Sequence, residues 1–256
     1  MDYIAINKEA WDKRTTVHVK SQFYDLNGFL KGNSSLNSIE LEEVGSVAGK
    51  SLLHLQCHFG LDTLSWARLG AHVTGVDLSS EAIHQAKSIS EKTNLEATFI
   101  CSDVYKFAEA NCEKFDIVFV SYGALCWLPD LTLWAQIVAN SLKDGGQVNI
   151  VEFHPFDELL LGSAYFGCDG PRVDEDGTYT ENCTGVKSKM ITWMHPISDV
   201  INALVQAGIY IESFNEYPFS PYYLEGFEAA ENGGYQLLHA GHAVPLVYSI
   251  KGHKNR

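Results

Sequence analysis

The chain has 256 residues, 46% of them hydrophobic and 20% charged, which is enough to bury a full globular core and excludes a disordered chain. Eighteen Lys and Arg stand against 32 Asp and Glu, a formal net charge of −14. A phosphate backbone is therefore not an expected partner, because it calls for a basic face. No apolar run reaches the length of a membrane span, and the opening MDYIAINKEAWDKR is acidic and polar where an export signal would be basic and then apolar. A cytoplasmic, non-membrane protein is the expectation.

Six cysteines (Cys57, Cys101, Cys112, Cys126, Cys168, Cys183) are scattered without a C-x-x-C pair, so reduced thiols are expected. Cys57, Cys101 and Cys126 adjoin apolar runs and read as small buried hydrophobes.

In chain order, residues 1–48 begin helical and polar and loosen into NGFLKGNSSLNS. From Lys50, short apolar runs alternate with helical segments: SLLHL and LDTLSWARLG, HVTGVD and SSEAIHQAKSISEK, ATFIC and DVYKFAEA, FDIVFV and DLTLWAQIVANSLK, then QVNIVEF. That alternation predicts a doubly wound α/β fold, a mostly parallel sheet with helices on both faces. In 79–92, Ala82, Ile83, Ala86 and Ile89 form one stripe behind a cap at Ser79 or Ser80. In 130–143, Leu133, Trp134, Ile137, Val138 and Leu142 repeat at helical spacing before the Gly145–Gly146 pair. In 198–207, Ser198 is the predicted cap, with Val200, Ile201, Leu204 and Val205 inward and Gly208 as the stop.

The alternation lapses over 155–196, too long for a connector and read as a lid or substrate wall in preference to surface decoration. Its VDEDG segment reads as an acidic turn. IYIESFNEYPF and VPLVYSIKGH read as two closing strands. The expected organisation is one domain: a cap over 1–48, a core over 49–154, a lid-like insertion over 155–196, and a closing helix and strands over 197–256.

Chemistry concentrates in LLHLQCHFGLDTLSWARLGAHVTGVDLSSEAI. A strand enters a tight turn at Gln56–Gly60, a helix leaves it, and the next strand ends in Asp77, an arrangement suited to a nucleoside-bearing ligand. The dinucleotide register G-x-G-x-x-G needs glycines at 56, 58 and 61 and finds none. The register G-x-G-x-G needs them at 56, 58 and 60 and finds only Gly60.

With LLHLQCHFG, VTGVDLS, CSDVYKF, FDIVFVSYGALCWLPD and LKDGGQVNIVEFHP in that order, residues 51–154 resemble the S-adenosylmethionine-dependent methyltransferases of the Rossmann-like class. The resemblance implies a sheet closed by an antiparallel last strand, here 244–251. It also implies that Asp77, with Leu78 beside it, holds the ribose hydroxyls, that Asp103 and the Val104 backbone meet the adenine, and that Ser121 and Tyr122 line the methionine end. Gln56, Cys57, His58 and Gly60 fall on the glycine turn. Gln56 and His58 depart from the glycine pattern, and His54 stands where an acidic residue is common. The departure is tolerable because the cofactor presents an amino acid group to this turn and not a pyrophosphate. His58 or Gln56 is expected to donate to the cofactor carboxylate, against the alternative that both point into the fold.

His54, Cys57 and His58 do not form an expected metal site, since strand alternation separates His54 and no second ligand pair follows. Candidate bases are Glu152, His18, His195 and, chosen first, His154 at a strand end and Tyr24 in the N-terminal segment; His154 could instead anchor the turn before Pro155. Trp11, His18 and Tyr24 suggest a helix covering the cofactor. Tyr165, Phe166, Tyr179, Trp193, Tyr222, Tyr223 and Phe227 form either a substrate wall or a small core of the insertion. The expectation is methyl transfer to a small-molecule acceptor that is neutral or cationic. Two rivals stand beside it: a non-catalytic cofactor-binding protein and a nicotinamide-dependent oxidoreductase.

Overall fold

The computed structural model describes residues 2–160, 162–166, 170–183, 185, 187–224, 226–231 and 233–255. Cys168 lies outside the described residues. Helices α1 (Tyr3–His18), α2 (Leu26–Leu30) and α3 (Ser38–Val44) precede the alternating core. The core runs β1 (Ser51–Leu55), α4 (Leu61–Arg68), β2 (His72–Asp77), α5 (Ser80–Thr93), β3 (Ala97–Cys101), α6 (Val104–Ala110), β4 (Phe115–Ser121), α7 (Leu131–Ser141) and β5 (Leu142–Phe153). The insertion supplies α8 (Phe156–Leu160) and an antiparallel pair, β6 (Arg172–Asp176) and β7 (Ser188–Thr192). Helix α9 (Ile197–Gln206) and strands β8 (Ile209–Tyr217) and β9 (Val247–Lys254) close the chain.

The seven strands lie in the order β3-β2-β1-β4-β5-β9-β8, with β9 antiparallel to both neighbours. The order reverses between β1 and β4, so the loops after these strands flank a crevice at the sheet's C-terminal edge. Burial explains the strands: Leu52, Leu53, Leu55, Val118, Phe119 and Val120 are fully covered, as continuous apolar runs in a two-sided parallel sheet should be. The largest apolar cluster packs α7 and α9 on one face around Trp134, Val138, Val200 and Leu204. No helix among the described residues is long and apolar enough to cross a membrane.

Several local expectations are corrected. Helix α7 ends at Ser141, and the Gly145–Gly146 pair sits inside β5, where a Cβ at Gly146 would come within 2.9–3.0 Å of backbone oxygens of Lys143 and Phe115. Pro196, not Ser198, is the residue before α9, because its extended backbone starts the helix two residues earlier than a serine cap would. Leu133 and Val205 are exposed; the buried stripes run through Trp134, Ala135 and Val138, and through Val200, Ala203 and Leu204. Asp174, Glu175 and Asp176 lie in strand β6 and not in a turn. Cys101 is exposed at the end of β3, whereas Cys57 is buried.

The N-terminal helix and the insertion are stitched together. Asn7 exchanges both side-chain hydrogen bonds with the backbone of Ile191 at 2.8 Å, Asn182 Nδ2 donates to the Val17 carbonyl at 2.9 Å, and Glu181 accepts from the Gln22 backbone. These contacts seat α1 and the β6–β7 hairpin above the crevice as one roof.

Candidate functional site

The turn after β1 holds non-glycine residues at two of the three positions of the G-x-G-x-G register. Gln56, His58 and Gly60 all have left-handed backbones, with φ of 58°, 50° and 80°. Only glycine enters that region freely, and other residues pay about 1–2 kcal/mol. A Cβ at Gly60 would lie 2.7 Å from the Phe99 ring and 3.0 Å from Ala86, so glycine is required there by space as well as by φ. The side chains at 56 and 58 instead extend into the crevice.

Asp77 organises this turn from the end of β2. Its Oδ2 accepts from the His58 backbone N–H at 2.7 Å and its Oδ1 from that of Ser79 at 2.8 Å, and burial raises its carboxyl to about 6. Asp103, at the start of α6, accepts from the Tyr105 N–H with Oδ1 while Oδ2 is buried without a partner. Gln56 Nε2 donates to the Ala124 carbonyl at 2.6 Å, leaving Oε1 buried and unpaired.

His58 stands against His18, with Nε2 2.9 Å from His18 Nδ1, and His18 Nε2 meets the Thr178 hydroxyl of the insertion. Burial, with help from the nearby Arg14 charge, holds His18 down at about 3 and His58 also well below its ordinary value. Both rings are neutral, so one must donate to the other, and His58 Nδ1 is left buried with its own bond unmade. Whichever tautomer holds, that nitrogen offers an N–H to a carboxylate or a lone pair to an ammonium.

These groups line a slot between the sheet edge and α1, walled by Tyr3, Asn7 and Trp11 on one side and by Asp77, Leu78, Asp103 and Val104 on the other. It opens into a cavity of about 1080 Å³. Trp11 stands at the junction, edge to face with His58 at 5.1 Å and with Trp127 at 5.2 Å.

Cys57 turns its thiol under the loop toward Gly75 and Phe99 and serves packing. Ser121 lies in the large cavity, its hydroxyl 3.3 Å from His54 Nε2 and 3.2 Å from Asp62. Tyr122 lines both slot and cavity. His54 is fully buried and held neutral by that burial, with Nδ1 2.9 Å from the Thr63 hydroxyl. Among the described residues, no group of three His, Cys, Asp or Glu could hold a metal ion.

The candidate bases are mostly occupied. His154 accepts the Phe156 N–H on Nδ1 at 3.1 Å and meets Glu216 with Nε2 at 2.9 Å, which ties it to the turn before Pro155 and leaves neither nitrogen free. Glu152 accepts from the backbone N–H groups of Gly123, Ala124, Leu125 and Phe153, fixing the loop after β4. Tyr24 shares a hydrogen bond with Tyr179, and burial raises its phenol well above the ordinary value. His195, which lines the large cavity, donates from Nε2 to the Leu128 carbonyl at 2.8 Å, so the neutral ring keeps its lone pair on Nδ1.

Of the aromatic residues expected to form a wall, Tyr179, Trp193 and Tyr222 line the large cavity. Phe166 and Tyr223 are exposed. Arg14, Asp62, Asn7 and Thr178 are contributors that periodicity does not flag, because each acts through a contact distant in the chain.

Beneath the cavity, Glu40 closes a capping box on α3 by accepting from the Asn37 backbone and side chain at 3.1 Å. Burial and the Asp62 charge raise it to about 7. A carboxyl raised by folding contributes stability below its unfolded value near 4.5, and that contribution is lost as pH rises through about 7. Glu40→Gln keeps a cap acceptor and removes the charge. The variant is expected to gain on the order of 1–3 kcal/mol over wild type between pH 5 and pH 8 in urea unfolding, and parallel profiles would contradict this.

Residues 52–146 match the model of a methyltransferase domain. Over that span the core resembles a methyltransferase domain. The ubiquinone biosynthesis O-methyltransferase of Vibrio cholerae is 33% identical over 132 residues, 50% of this chain and 54% of that protein, so the chain spans about half the length of the first curated relatives it matches. The enzyme of the same description from Proteus mirabilis is 26% identical over 204 residues, covering 72% and 81% of the two chains. An S-adenosylmethionine-dependent methyltransferase from Mesorhizobium loti superposes with a TM-score of 0.58 at 16% identity, over 88% of this chain and all of that one, a likeness of fold. Within the matched span, residues 56, 58 and 60 of the turn all have positive φ.

Proposed function

We propose that the protein transfers a methyl group from S-adenosylmethionine to a small-molecule acceptor held in the large cavity. The observation that carries this reading is the left-handed turn 56–60 set between Asp77 and Asp103, with Gln56 Oε1, His58 Nδ1 and Asp103 Oδ2 buried and unsatisfied around one slot. Orphaned buried polar atoms are costly, and three of them facing one slot fit a nucleoside joined to an amino acid. Asp77 has acceptor capacity left for ribose hydroxyls, Asp103 Oδ2 for an adenine amino group, and His58 and Gln56 for the amino acid end.

The cofactor, when bound, supplies an electrophilic methyl on a sulfonium that needs no further activation. The protein's part is alignment and exclusion of water. The loop after β4, immobilised by Glu152, carries Trp127 to the junction where Trp11 also stands, and the α1–hairpin roof shuts the crevice from above. His154 and Tyr24 were the first candidates for a base. With both His154 nitrogens engaged and Tyr24 held as a phenol, we assign a proton-accepting role, where the acceptor requires one, to Nδ1 of His195.

Calorimetric titration with S-adenosylhomocysteine and with NADH tests the cofactor, and formation of S-adenosylhomocysteine over an acceptor panel tests the reaction. Binding of NADH alone would move the reading to an oxidoreductase. Cofactor binding without turnover on any acceptor would move it to a non-catalytic binding protein. His58→Asn, chosen because asparagine tolerates a left-handed backbone, is expected to bind S-adenosylhomocysteine about tenfold more weakly, and unchanged affinity would remove His58 from the site.

A further inference from the structure

Arg14 is the buried charge that the cofactor reading does not use. It projects from α1 beside the hairpin, lines the large cavity and not the cofactor slot, and is 9% exposed. One Nη2 reaches the Gly177 carbonyl at 2.6 Å and the Met190 sulfur, and Nε is buried without a hydrogen bond. Among the described residues no carboxylate lies within ion-pair distance of it. A guanidinium stays charged, and burying it against a carbonyl and a thioether costs free energy that neither partner returns.

The carboxylates that could have compensated it are committed elsewhere. Asp174 is paired with Arg172 at 2.6 Å, and Asp62, at another part of the cavity wall, is satisfied by the hydroxyls of Ser35 and Ser121. The acidic residues of β6 do not line the cavity, and the Asp176 charge acts on Arg14 only from beyond ion-pair distance. Trp11 has its ring centre 5.7 Å from the guanidinium carbon, Tyr179 is near enough to act on its charge, and Trp193 lines the same cavity.

We propose that Arg14 receives the carboxylate of an aromatic acceptor, so that the substrate carries an anionic group and is neither neutral nor cationic. This rests on reading the large cavity as the acceptor site. A planar fork of N–H donors suits a carboxylate, and the aromatic walls suit the ring that bears it. The second source of a carboxylate is the amino acid end of the cofactor, and the experiment separates the two.

Full-length protein, free and saturated with S-adenosylhomocysteine, is titrated with 2-naphthoate and 2-naphthamide and with indole-3-acetate and indole-3-acetamide, for wild type, Arg14→Met and Arg14→Lys. The expected result is at least about tenfold preference for each acid over its amide in wild type, lost in Arg14→Met and partly kept in Arg14→Lys, with affinity for S-adenosylhomocysteine unchanged. Equal binding of acid and amide, or binding of neither, overturns the proposal. So does an Arg14→Met variant that folds and loses S-adenosylhomocysteine affinity, which would give the arginine to the cofactor's own carboxylate. An acid preference in protein that binds no S-adenosylhomocysteine would leave the Arg14 assignment standing while the methyl-transfer reading fell.

Discussion

Gly60→Ala is expected to lower the unfolding temperature by roughly 5–15 °C, the largest stability effect of any single change in the turn. Two costs add. A side chain at φ of 80° carries about 1–2 kcal/mol of backbone strain, and a methyl 2.7 Å from Phe99 and 3.0 Å from Ala86 overpacks a closed cluster for about 1–3 kcal/mol more. The cluster holds Phe59, Leu64, Ile83 and Ile89, all nearly inaccessible, so the neighbours have little room to yield. Thermal unfolding of the variant checks this, with His58→Gly as the companion whose backbone strain is relieved. A wild-type melting curve for Gly60→Ala would show that the space under the turn is not closed.

Asp77→Ala is expected to cost the protein about 100-fold or more in S-adenosylhomocysteine affinity. Two hydrogen bonds from ribose hydroxyls to a buried carboxylate are worth about 1.5–3 kcal/mol each, and losing them reaches that factor. The variant also leaves the backbone N–H groups of His58 and Ser79 without their acceptor, so the turn itself loosens. Burial raises Asp77 to about 6 in the free protein. On the stability side a raised carboxyl favours the fold at low pH, and that advantage fades as pH climbs through about 6. Cofactor binding runs the other way, because hydroxyl donors favour the ionised form. Wild-type affinity should therefore decline by up to tenfold per pH unit below about 6, and Asp77→Ala should lack that slope. Retained affinity, or a wild-type profile flat from pH 5 to 8, would take the ribose away from this residue.

Much of the fold was legible because buried parallel strands have to be continuous apolar runs. SLLHL, HVTGVD and ATFIC became β1, β2 and β3 residue for residue. Helix faces were read less well. Leu133 and Val205 have the right chemistry for a core stripe but sit one 100° step away from it, and only the packing of α7 on α9 decides which step is covered. Cys101 adjoined an apolar run and yet ends an edge strand in the open.

Of the residues lining the slot, Asp77 and Asp103 were the easiest to place from sequence, one at the end of β2 and the other capping α6. The turn was harder, since a sequence shows Gln56 and His58 as lost glycines and does not show that their backbones take the glycine conformation. Arg14 reaches Gly177 and His18 reaches Thr178 across about 160 residues of chain, which no local pattern encodes. The same holds for His154, whose strand-end position was read correctly while Glu216 and Phe156, which occupy its nitrogens, were not foreseeable.

The bond pair between Asn7 and Ile191 joins positions 184 residues apart. A nascent chain can assemble the five parallel strands once residue 153 has left the ribosome, but the helix made first has no hairpin to rest against until residue 192 has followed. The binding crevice therefore exists before it can be covered, and sealing it is one of the late events of biosynthesis.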